Sequence, residues 1–189
     1  MRLTRRRCLA AIAAAATTGV PWRLAQAARP PAEVATEVPG ARLLGSGTLR
    51  WLGLRVYDAR LWAPEPLTLE TWATRPFALE LVYARALPGR RIAERSLVEM
   101  RRQRDLPPAE ADRWLDALQR VFPDVAEGDR ISGVHKPGQA ARCHVNGRYA
   151  GELADGEFAR LFFGVWLSPQ TSEPALRDAL LGRAGSATS

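Results

Sequence analysis

The chain has 189 residues and a formal charge of +7, with 27 Lys and Arg against 20 Asp and Glu. Five arginines (Arg2, Arg5, Arg6, Arg7 and Arg23) fall within residues 1–27 with no acid beside them. The +7 therefore drops to +2 for the rest of the chain, and the basic balance is no argument for a nucleic-acid partner. His135, His144, Cys8 and Cys143 show no metal-ligand spacing, and no phosphate-cradling glycine loop or Ser nucleophile elbow occurs, so neither a metal nor a cofactor is expected.

Residues 1–27 read as an export signal. Arg5-Arg6-Arg7 is a basic start, Cys8 to Val20 a small and apolar run, and Ala25-Gln26-Ala27 a small-x-small cleavage pattern. The run is too short for a permanent membrane span. Thr4-Arg5-Arg6 followed by Arg7, Cys8 and Leu9 also fits a twin-arginine signal. The expected location is periplasmic, after cleavage. Residues 28–40, rich in Pro and Ala, are expected to be a loose leader, 41–182 a single domain, and 183–189 a disordered tail.

Within the domain, Ala41–Leu52 and Leu54–Trp62 read as two strands, and Phe77 to Tyr83 alternates as a third. Arg90–Arg104 reads as a helix. Its arginines (Arg90, Arg91, Arg95, Arg101, Arg102, Arg104) are interrupted by Glu94 and Glu99, the pattern of a solvated face rather than of an anion or membrane-surface patch. Pro107 or Pro108 opens a helix whose apolar face is Trp114, Leu115, Leu118 and Phe122. Ile131–His135 is a short strand, and Asn146-Gly147 turns Ala141–Val145 back into Tyr149–Leu153. Asp155 suits an N-cap for a helix carrying Phe158, Leu161, Phe162, Val165 and Trp166, and Gly182 terminates a last helix from Glu173 to Leu181. Hairpins interrupted by one-faced helices imply an α+β fold, an antiparallel sheet with helices packed on one side.

If Leu52-Gly53 is a two-residue turn, Arg50 pairs with Arg55 and Thr48 with Tyr57. All four would then share one face of the sheet, with Arg and Tyr donors able to hold a developing oxyanion. A one-residue slip would part Arg50 from Tyr57.

Several segments together resemble the chalcone-isomerase-like family, in its bacterial exported branch. They are Gly45-Ser-Gly-x-x-Arg50, Val56-Tyr57-Asp-Ala-x-Leu-Trp62, Leu79-Glu-Leu-Val-Tyr83, Phe122-Pro-Asp-Val-x-x-Gly128-Asp129, Asn146-Gly147, Phe158 through Gly164-Val-Trp166-Leu, and Leu176-x-x-x-Leu-Leu-Gly182. The resemblance implies an open-faced β-sandwich. In the plant enzymes of this fold an arginine stabilises a phenolate that adds to an enone, while hydroxyls hydrogen-bond the carbonyl. Arg50 sits in a segment that resembles the arginine-bearing one, with one residue more between glycine and arginine, and Tyr57 stands roughly where those enzymes have a threonine hydroxyl. Other members bind fatty acids without catalysis. The resulting expectation is a site of Thr48, Arg50, Tyr57 and Tyr83 for a small apolar or aromatic ligand with an anionic or carbonyl end. An alternative is an intramolecular lyase or isomerase with Arg50 and Tyr57 catalytic, and another is a non-catalytic partner in an envelope assembly. Oligomeric state is left open.

Overall fold

Six β-strands follow one another in space in the order in which they occur along the chain. The computed structural model describes residues 29–183, so the expected signal and all but Arg183 of the expected tail lie outside the described residues. The strands are β1 (Arg42–Trp51), β2 (Leu54–Ala63), β3 (Phe77–Tyr83), β4 (Arg130–Lys136), β5 (Ala140–Val145) and β6 (Arg148–Leu153), and every neighbouring pair is antiparallel. The helices are α1 (Ala32–Glu37), α2 (Gly89–Met100), α3 (Pro108–Val121), α4 (Gly156–Leu167) and α5 (Pro174–Leu180). None of the described helices is long and apolar enough to cross a membrane.

Alternation along the strands sends Leu61, Leu79, Leu81, Ile131 and Cys143 to one face, where α2 to α5 cover them and form the main core. The fold is the expected α+β sheet with helices layered over it. Helix α4 lies at its centre, because nearly every residue from Phe158 to Leu167 is apolar and buried. Its start is fixed by Asp155, whose side chain accepts from the amides of Glu157 and Phe158, both at 3.0 Å.

Close packing needs glycine in β1. A Cβ on Gly45 would sit 2.1 Å from the carbonyl oxygen of Ala179 in α5, and one on Gly47 would sit 2.6 Å from the Leu176 side chain. The Gly-Ser-Gly segment thus lets α5 lie directly on the sheet edge.

Residues 29–40, the described part of the expected loose leader, carry a docked helix. Pro31 caps α1, whose Val34, with Val38, packs on Trp62, Ala78 and Val134 on the reverse face of the sheet. Glu33 pairs with Arg130 at 2.9 Å and accepts from Ser132 at 2.9 Å, and Glu37 pairs with Lys136 at 3.0 Å and Arg142 at 3.2 Å. Burial opposes ionisation of Glu37, but its two cationic partners outweigh it and hold the carboxyl below its usual range. A six-residue helix is too short to show an apolar stripe, and its stability comes from this docking. Helix α2 also ends at Met100, four residues before the expected Arg104.

His135 packs in the core against Phe77 and Phe163, with ring centroids at 4.8 and 5.2 Å, and its Nδ1–H donates to the Arg75 carbonyl at 3.0 Å. Burial lowers its pKa from the ordinary 6.5, while the Arg75 contact acts in the opposite direction.

Two outcomes are expected. Gly45→Ala meets backbone and lowers unfolding free energy in urea by about 1–3 kcal/mol, whereas Gly47→Ala meets a side chain that can move and costs less; equal costs would contradict this packing. Below pH 6.5 an unfolded chain takes up a proton that folded His135 resists, so this stabilisation is complete above 6.5 and is lost as pH falls. Paired unfolding curves should show His135→Gln removing a pH slope of up to about 1.4 kcal/mol per unit in that window.

Candidate functional site

Between the covered face of the sheet and helices α2 and α4 lies a cavity of about 310 Å³. That volume is at the lower end of the range usual for small-molecule sites, about 300–1,000 Å³. Its deep wall is apolar: Leu79 and Leu81 from β3, Ile131 from β4, Cys143 from β5, and Phe162 and Phe163 from α4. Burial pushes the Cys143 thiol up to about 12, so it stays a neutral wall group and not a nucleophile.

Polarity rises along β3 toward the mouth. Leu79, Leu81, Tyr83 and Arg85 succeed one another at two-residue spacing, and all four line the cavity. Tyr57, opposite Tyr83 on β2, meets it edge to face at 5.8 Å. The indole Nε1–H of Trp166 donates to the Tyr57 oxygen at 2.9 Å, which leaves the tyrosine O–H to donate elsewhere. No described residue hydrogen-bonds the Tyr83 hydroxyl, although the residue is 3% exposed. Burial raises the pKa of both phenols far above the ordinary 10.0, and the Trp166 contact only partly offsets this at Tyr57. Both are therefore neutral donors at physiological pH, suited to an oxygen of a bound molecule and unsuited to act as bases.

The rim is cationic. Arg85, Arg91 and Arg95 line it together with Glu99 and Glu173. Arg95 pairs with the buried Glu99 at 2.5 Å and lies 5.5 Å over the Trp51 ring, whereas Arg85 and Arg91 have no carboxylate partner among the described residues.

The structure divides the expected site. Trp51 pairs with Leu54 and Arg50 with Arg55 as anticipated, but then Leu49 pairs with Tyr57 and Thr48 with Asp58. Val56 is the extra residue of a β-bulge, and it turns Tyr57 inward beside Leu49. Tyr57 and Tyr83 therefore meet in the cavity, while Arg50 and Thr48 stay on the outer face. There Thr48 donates to Asp58 at 2.7 Å, and Arg55 binds the same carboxylate and holds it below its usual range. Arg50 reaches only the Gly53 carbonyl, at 3.3 Å. The geometry in which Arg50 would stabilise an oxyanion next to Tyr57 is absent, because one bulge residue reverses the face.

The rim arginines were missed in the sequence, where they read as a solvated face. Arg91, Ile92, Arg95, Ser96 and Glu99 recur at helical spacing, a signal that one side of α2 faces something besides water. Among the described residues no group of three or more His, Cys, Asp or Glu is placed to hold a metal ion.

Comparison with known proteins agrees with this architecture. The chain is 24% identical over 140 residues, 74% of its length and 67% of the other's, to an uncharacterized protein of Haemophilus influenzae. Its structure is similar to that of a fatty-acid binding protein of Arabidopsis thaliana, with a TM-score of 0.59 and 15% identity, covering 77% of this chain and 89% of that one. At that identity the likeness concerns the fold. The sequence model described as chalcone isomerase-like matches residues 30–182, nearly all of the described chain, and the protein therefore belongs to the chalcone isomerase-like family.

Proposed function

We propose that the cavity binds a small, largely apolar molecule with one oxygen-bearing acidic end, of the fatty-acid type. The observation that carries this reading is the polarity gradient, from Leu79 and Phe163 at the deep wall through two neutral tyrosines to unpaired arginines at the rim. An alkyl or aromatic tail gains from the apolar depth at about 25 cal/mol per Å² removed from water. A carboxylate or carbonyl oxygen at the level of Tyr57 and Tyr83 accepts from both hydroxyls, and Arg85 and Arg91 supply positive potential from the mouth. That the structurally similar plant protein is a fatty-acid binding protein supports the same class of ligand. The basic and apolar residues 1–27 support an exported, periplasmic protein that meets its ligand outside the cytoplasm.

The test is displacement of a fluorescent fatty-acid probe, followed by mass spectrometry of small molecules released from the purified chain. Tyr83→Phe removes one donor to a charged oxygen and should weaken binding about 10- to 100-fold, as expected for about 1.5–3 kcal/mol. Leu81→Trp fills the cavity and should abolish binding, while Arg50→Ala on the outer face should leave it unchanged. Probe affinity that ignores both cavity variants would refute the site.

A further inference from the structure

The tip of the β1–β2 hairpin exposes apolar residues that the fold does not need. Trp51, Leu52 and Leu54 are 54%, 88% and 56% exposed, and they account for three of the five exposed large hydrophobic residues among those described. A single exposed leucine is ordinary, but a cluster at the apex of a turn is not.

The turn itself sharpens the point. Leu52 and Gly53 have φ of 49° and 79°, and Asn146 and Gly147 in the β5–β6 hairpin have 50° and 81°. Both are two-residue turns whose central residues are in the left-handed region, where Asn-Gly is preferred and leucine is disfavoured. This chain places Asn-Gly in one and Leu-Gly in the other. At Leu52 the side chain neither suits the local backbone nor packs on the protein.

The surroundings indicate the partner. Arg50 and Arg55 flank the tip, although Arg55 is neutralised by Asp58. Arg85 and Arg91 have no acidic partner among the described residues, and Arg95 lies over Trp51 while pairing with Glu99. Val98, also exposed, falls on the stripe of α2 that carries Arg91 and Arg95. Against Arg50, Arg55, Arg85, Arg91 and Arg95 stand four acids, Asp58, Glu99, Glu127 and Glu173, so the balance is one positive charge in excess, and Arg50, Arg85 and Arg91 form no ion pair among the described residues. An indole beside leucines, with a net positive surround in which Arg50, Arg85 and Arg91 have no ion-pair partner among the described residues, matches the boundary between acyl chains and anionic headgroups.

We propose that the hairpin tip, with the adjoining rim of α2, docks on an anionic lipid bilayer. Trp51 and the rim arginines also line the mouth of the cavity, so docking brings that mouth onto the membrane surface. The docking surface stands on its own residues, whereas exchange of an acyl ligand with the bilayer rests on the function proposed above.

Hydrogen–deuterium exchange of the full chain, with and without vesicles, reads the tip independently of any contact made by residues 1–28. Phosphatidylglycerol-containing vesicles should protect residues 50–56, and pure phosphatidylcholine vesicles should not. Leu52→Asn suits the turn, so it should keep or raise thermal stability while losing the protection. Arg85→Ser with Arg91→Ser should lower vesicle affinity roughly 25-fold, at about five-fold per arginine. Equal protection by both vesicle types, or protection retained in Leu52→Asn, would overturn the proposal. Protection of the tip without vesicles that grows with protein concentration would also overturn it, in favour of a second copy of the chain. Failure of the ligand reading would instead appear in the probe experiment, which contains no vesicles.

Discussion

Which face of the sheet a strand residue occupies decides nearly everything else in this molecule, and one extra residue in β2 sets it for the first hairpin. With Val56 bulged out of register, Tyr57 joins Leu49 and Tyr83 under the helices, and Thr48 joins Asp58 on the other side. The bulge therefore gives the cavity its hydroxyl pair and denies it Arg50. The same two-residue period leaves Gly45, Gly47 and Gly133 facing inward, where a Cβ would meet the α5 backbone at Gly45, the Leu176 side chain at Gly47 and, in tight contact at 3.1 Å, the Phe163 ring at Gly133.

The two faces of the sheet solve different physical problems. The covered face removes apolar area from water and keeps its few polar groups neutral. The reverse face gathers charge and satisfies it locally. Glu80, almost fully buried, accepts from Trp62 at 2.9 Å and lies near Arg60 and Arg130, and α1 brings Glu33 and Glu37 to the cations of β4 and β5. Arginines that meet carboxylates there are spent on structure. At the cavity rim Arg95 likewise meets Glu99, whereas Arg85 and Arg91 meet no carboxylate among the described residues, and the proposed site rests on that contrast.

Much of the fold was legible because its signals are periodic. Alternation marked β3, Asn146-Gly147 marked the β5–β6 turn, and the Asp155 cap with its apolar helix marked α4. Tyr57 and Tyr83, singled out in the sequence, both line the cavity between sheet and helices. The rest had no sequence mark. A bulge is one ordinary valine, and nothing in its neighbours announces that pairing shifts there. Helix α1 has a single turn and a half and is held by groups about a hundred residues away. Whether Arg91 and Arg95 face water or a cavity mouth depends on how far the β1–β2 hairpin reaches beside them, which is a tertiary fact.

The docking of α1 also bears on the order in which the molecule assembles. Glu33 and Ser132 are 99 residues apart in the chain, and Glu37 and Arg142 are 105 apart. Contacts of such separation form only after the intervening chain has been ordered, because closing so long a loop earlier yields too little in return. During synthesis the partners in β4 and β5 leave the ribosome long after α1 does. The segment that begins the described structure is thus among the last to find its place, and it seals the reverse face of a sheet that is already built.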